Sequence, residues 1–155
     1  MMIDSIIGWL SGAPEGSVGA PPSELRLALT ALLVEAAYAH DHFDERDRVV
    51  IERLLERHFR LSPADARALL VAGRREADRS VELYGFTRII NERLSFRQRL
   101  ELIEMMWEVA YADGVLDEYE DSLLRRVAGL IYVSDRDRGI ARQRVLKRLG
   151  IDDNF

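Results

Sequence analysis

Between Asp113 and Asp121 the chain gathers Asp113, Asp117, Glu118, Glu120 and Asp121. Hard cations such as Ca2+ take several oxygen ligands at once, so acids crowded at one turn could hold a divalent ion. Asp113, Asp117 and Glu120 are the first-choice ligands, with Glu118 beside them. The spacing is not that of an EF-hand loop, which needs acids at alternate positions and a Glu at the twelfth. Earlier in the chain His40, His42 and Asp44 form a smaller group. Two imidazoles and a carboxylate suit Zn2+ or a similar borderline metal. Histidines in a turn after a helix equally suit the negative end of the helix dipole. A third kind of chemistry belongs to lone acids on apolar helices. Glu35 is the only charge from Leu27 to Ala39, and Glu108 lies on a second hydrophobic helix. Each is an inward ligand or half of an ion pair with an arginine.

Much other chemistry is absent. The chain has no cysteine, which excludes disulfides, thiolate metal sites and a Cys nucleophile. It carries no G-x-S-x-G, Walker loop, H-E-x-x-H or Rossmann glycine pattern. No Glu-x-x-His string exists to build a di-iron bundle. The expectation is a protein that is not an enzyme and has no organic cofactor.

The elements that position these residues are helices. Ser62-Pro63-Ala64-Asp65 reads as an N-cap with Pro at the first helical position. Ser95 with Gln98 and Asp117 with Glu120 have capping-box spacing, and Ser134 precedes two acids. Gly114 and Gly150 stand where helix stops are expected. Caps alone account for Asp117 and Glu120, so the cap reading and the metal reading both stand for the second turn. Periodicity predicts seven helices, over about 24–39, 45–59, 63–77, 81–92, 96–112, 118–131 and 135–149. The fold class is all-α, a compact helical bundle. The first helix is apolar on nearly all sides and so central. In the fifth, Leu100, Ile103, Trp107 and Ala110 form a core stripe, while Glu101, Glu104 and Glu108 line another. The expected layout is a short apolar segment and Gly/Pro/Ser linker over 1–22, the helical domain over 23–150, and a tail over 151–155.

The two acidic turns are copies. Glu35-Ala36-Ala37-Tyr38-Ala39-His40-Asp41-His42-Phe43-Asp44-Glu45 aligns with Glu108-Val109-Ala110-Tyr111-Ala112-Asp113-Gly114-Val115-Leu116-Asp117-Glu118 at a constant offset of 73 residues. Six of the eleven positions are identical, which marks a duplicated helix–turn–helix. The run from Ala110 to Glu120 resembles the signature of the tellurite-resistance TerB family. So does the first copy, with His40-Asp41-His42 in place of Asp113-Gly114-Val115. Tyr84-Gly85-Phe86-Thr87-Arg88-Ile89-Ile90-Asn91 is similar to another recurring TerB feature. The resemblance covers about Leu25 to Leu149 and implies a seven-helix fold related to the N-terminal region of the membrane-tethered co-chaperone DjlA. It also implies a part in tellurite or other stress resistance, and divalent metal held by the acidic turns.

Charge is segregated along the chain. The net charge is -5, which argues against a nucleic-acid binder. Yet Leu100 to Asp121 carries eight acids and no Lys or Arg, while Arg57 to Arg99 holds ten Arg against five acids. The last helix, Asp135 to Leu149, has six basic residues against two Asp. Such blocks can hold a fold's own halves together or steer a charged partner. Glu101, Glu104, Arg142, Lys147 and Arg148 are the candidate interaction face, for a protein partner or, through the last helix, an anionic membrane surface. No apolar run reaches the ~18 residues of a membrane span. A cytoplasmic location is expected, with membrane-peripheral contact as a variant.

Overall fold

A computed structural model describes residues 23–39, 43–80, 82–114, 116 and 118–151. Among them are seven helices and no strand: α1 (Glu24–Tyr38), α2 (Glu45–Phe59), α3 (Pro63–Arg79), α4 (Tyr84–Arg93), α5 (Phe96–Ala110), α6 (Glu118–Leu130) and α7 (Asp135–Leu149). The expected all-α fold is the one found.

The caps explain most of the boundaries. Ser23, Ser62, Ser95 and Ser134 each accept a hydrogen bond from the backbone N–H three residues on. Each satisfies a donor that the first helical turn leaves open. Ser95 and Gln98 complete the predicted reciprocal box. Two expectations need correction. The fourth helix starts at Tyr84 rather than near 81, because Leu83 precedes it without any side-chain cap. Gly114 does not close the fifth helix. That helix ends at Ala110 with Tyr111 as its cap, and Gly114 lies three residues beyond the cap, at φ +83°.

The duplication is larger than the turn that reveals it. At offsets of 72–73 residues α1, α2 and α3 correspond to α5, α6 and α7. The packing repeats as well: α3 lies on α1 and α2 as α7 lies on α5 and α6. Both middle helices end the same way, with Arg60 at φ 52° and Tyr132 at φ 61°. The next N–H then reaches back to Glu56 in one copy and Ala128 in the other, a Schellman-type stop that usually takes Gly. The residue after the first of these is Leu61 and after the second Val133, each packed on or into the core. α4 belongs to neither copy and packs on α1 and α6.

The core sits where the copies meet. α1 packs against α3, α4 and α5 and touches α2 and α6. Leu29, Leu32, Leu33 and Val34 are all fully buried, as a helix apolar on nearly all sides requires. α5 supplies Leu102, Ile103, Met105, Met106 and Trp107, none more than 1% exposed. The Trp107 indole N–H donates to the Arg138 carbonyl at 3.2 Å, which ties α5 to α7. At the α1–α3 crossing Gly73 faces Thr30 so closely that a Cβ there would lie 2.3 Å from the threonine methyl.

Candidate functional site

The first turn is built around a capping box. The Asp44 carboxylate accepts the Asp47 N–H at 3.1 Å, and the Asp47 carboxylate accepts the Asp44 N–H at 3.0 Å. The Asp47 N–H, helped by Arg46, holds the Asp44 carboxyl below the usual carboxylate range. Asp47 is buried, which the sequence reading missed. Its signal was the D-x-x-D spacing at the start of a helix, the same grammar already recognised as D-x-x-E in the second copy. His40 and His42 lie outside the described residues.

The second turn leaves α5 through Tyr111, whose N–H donates to the Trp107 carbonyl at 3.0 Å. The Gly114 N–H then donates to the Tyr111 carbonyl at 2.8 Å. The positive φ of Gly114 is one that only glycine adopts at little cost. Asp113 and Glu118, on either side of the turn, are exposed. Glu120 is buried and corresponds to Asp47. Asp117 lies outside the described residues. Among the described residues, no three His, Asp or Glu side chains come together as a metal-holding group.

The lone acids have different surroundings. Glu108 meets Arg148 at 2.7 Å and Arg57 at 3.5 Å, and Glu104 meets Arg148 at 2.6 Å and Arg144 at 3.7 Å. Arg148 thus bridges two acids one turn apart on α5. Glu35, the counterpart of Glu108, has no such ion pair among the described residues. Burial raises its pKa, neighbouring Asp78 raises it further, and Arg126 only partly opposes them. Asp78 accepts a hydrogen bond from the Tyr38 hydroxyl at 2.7 Å. In the second copy the corresponding Tyr111 hydroxyl instead accepts one from Arg142 Nε, also at 2.7 Å. Arg142 also lies over the Trp107 and Tyr111 rings, 5.9 Å from each centroid.

The candidate interaction face therefore divides. Glu104, Arg142 and Arg148 are engaged within the fold, and Lys147 is exposed. Glu101 is half-buried near His58. The His58 ring is pushed to lower pKa first by burial and then by Arg57 and Arg148, against the pull of Glu101 and Glu108.

Residues 26–143 match the family model described as Tellurite resistance protein TerB. The chain belongs to the TerB family. The match runs from the start of α1 into α7, so it takes in both turns and the α4 segment of the TerB domain. No curated protein and no solved structure matches the chain significantly. Among the described residues, no helix of this TerB domain is long and apolar enough to cross a membrane.

Proposed function

We propose that this TerB domain is a non-enzymatic binding module of the tellurite-resistance, stress-response type, and that its second turn takes a divalent cation. The observation that carries this reading is the difference between two turns with common ancestry. In the first, Asp44 and Asp47 are committed to each other's backbone. In the second, Gly114 at its positive φ stands between exposed Asp113 and exposed Glu118, so that carboxylates flank one turn on both sides. A hard, oxygen-seeking ion such as Ca2+ suits that donor set. Asp117 completes it in sequence, and Glu120 lies one turn inside as support.

Calorimetry on chelator-stripped protein with Ca2+, Mg2+, Mn2+ and Zn2+ tests this. Saturable heat with one ion is expected, lost in an Asp113→Asn, Glu118→Gln double variant whose melting temperature without metal is unchanged. Absence of heat, together with no shift in melting at millimolar metal, rejects the cation site. Zn2+ binding that survives the double variant but fails in His40→Ala, His42→Ala moves the site to the first turn.

The alternative, an interaction module using charged faces, changes form once the ion pairs are known. Glu104 and Glu108 face arginines of their own chain. Reversing them breaks α5–α7 contacts and is no clean probe of a partner. A protein-binding role is better sought on charge that the fold does not consume.

A further inference from the structure

We infer that the outer face of α3 is a docking surface for an acidic amphipathic helix of a partner protein. α3 buries Ala66, Leu69, Leu70, Gly73 and Ala77 against its neighbours. The opposite side is exposed along its whole length: Ala64, Arg67, Ala68, Val71, Arg74, Arg75, Asp78 and Arg79. At helical spacing these fall on one side: Ala64, Ala68, Val71 and Arg75 run down the middle, Arg67 and Arg74 lie along one edge, and Arg79 lies on the other. Val71 is 47% exposed, one of the largest exposures of an aliphatic side chain among the described residues.

The fold leaves most of this charge unused. Arg67 stands 3.9 Å from Glu52 with its side chain 67% exposed, and Arg79 stands 3.5 Å from Glu76 with its side chain 72% exposed. Arginines that exposed gain little from pairs of that length. Arg75 has no ion pair among the described residues. Arg74 is held in place, its guanidinium 4.2 Å above the Phe43 ring. The only acid on the face, Asp78, is engaged by the Tyr38 hydroxyl.

Charge and shape together select the occupant. Guanidinium forks pair two oxygens of a carboxylate at once, which suits rows of Glu and Asp. The flat stretch of Ala64, Ala68 and Val71 lets a second helix approach closely, and arginine stems flanking it cover its apolar stripe. From Ala64 to Arg79 the face is about 22 Å long at the helical rise, room for four turns of a partner. A bilayer is the poorer fit, because interfacial helices insert Trp, Phe or Leu and the apolar residues of this centre are only two alanines and a valine.

The absence of cysteine makes the test direct. A fluorophore on a single cysteine introduced as Ser80→Cys, just past the C-terminal end of the face, reports binding there and leaves its centre clear, and one introduced as Ser122→Cys on α6 serves as control. The probe is a 20-residue helical peptide with an Ala/Leu stripe flanked by two rows of Glu. Saturable binding is expected, sensed at position 80 and not at position 122. It should weaken at least tenfold in Arg67→Glu, Arg75→Glu, and measurably in the milder Arg75→Gln, with helicity by circular dichroism unchanged in both. No saturable binding overturns the inference. So does binding that ignores these substitutions, or that is sensed equally at both labels. Recruitment to phosphatidylserine vesicles with the same arginine dependence, and no response to the peptide, assigns the face to lipid and overturns it too.

Discussion

The two three-helix copies share their backbone grammar and differ in what they ask of it. Both middle helices bury an acid at the third residue, Asp47 in one and Glu120 in the other. Both end on a left-handed residue. The side chains between have drifted apart in character. Thr30 and Gly73 of the first copy correspond to Ile103 and Leu146 of the second, so one helix crossing is tight where its counterpart is filled with large aliphatics. Glu35 corresponds to Glu108, yet one sits beside an aspartate and the other between two arginines. His58 corresponds to Ile131. The lesson is that the position of an acid on a helix does not determine its role. That role is set by which charges the neighbouring helices present.

The largest test of this contrast replaces a first-copy residue with its second-copy counterpart. Gly73→Leu drives a large side chain into Thr30, whose methyl already lies 2.3 Å from where a Cβ would be. A loss of about 3 kcal/mol is expected, read as a melting point lower by roughly 6–12 °C. Gly73→Ala should cost less, and adding Thr30→Ala should restore part of that loss. An unchanged melting point for Gly73→Leu would show that the two crossings are interchangeable.

Next in size is the first turn. Asp47→Ala removes one side of a complete capping box and should cost about 1–2 kcal/mol by denaturant titration. Glu118→Gln at the exposed second turn should stay within about 0.5 kcal/mol. Equal costs at the two turns would erase the distinction between them. Arg148→Ala follows, at about 1 kcal/mol, since it leaves Glu104 and Glu108 facing each other without their shared cation. Measured by the same titration, Glu35→Gln should be neutral or slightly stabilising at pH 7, because the raised pKa shows that the fold disfavours its charge. Any such gain should shrink as pH falls toward 4.5, where the wild-type carboxyl takes up its proton in the folded state first.

The smallest effect is a slope. The folded pKa of His58 lies below its ordinary value of 6.5, so its contribution to stability is intact above that pH. It is lost as pH falls through the folded pKa. His58→Ile, the second-copy residue, should flatten stability measured between pH 7.5 and 5.5. An unchanged slope would place the acid sensitivity on the carboxylates instead.

Most of the fold could be read from local chemistry. Serine caps, Pro63 and a nearly apolar first helix act within a few residues, and six of the seven expected helix starts, all but that of α4, are the ones found. The start of α4 differs from its expected place because Leu83 carries no cap for a sequence to display. The site was legible only as far as residue types. The duplicated turns could be seen in the sequence, but the inner role of Asp47 depends on a helix start that competes with two histidines for attention. The partners of Glu35 and Glu108 stand 40 or more residues away in the chain. No spacing rule links such distant positions, so the same motif letter gave no warning of two different environments.

The burial of α1 also has a consequence in time. Its cover comes partly from α3, which follows soon after it, and partly from α5 and α6, which follow about seventy residues later, several seconds at ordinary rates of synthesis. A nascent chain therefore carries Leu29, Leu32 and Leu33 on a half-wrapped helix until the second copy leaves the ribosome. The stretch before that moment is when this protein is most exposed to self-association and to capture by chaperones.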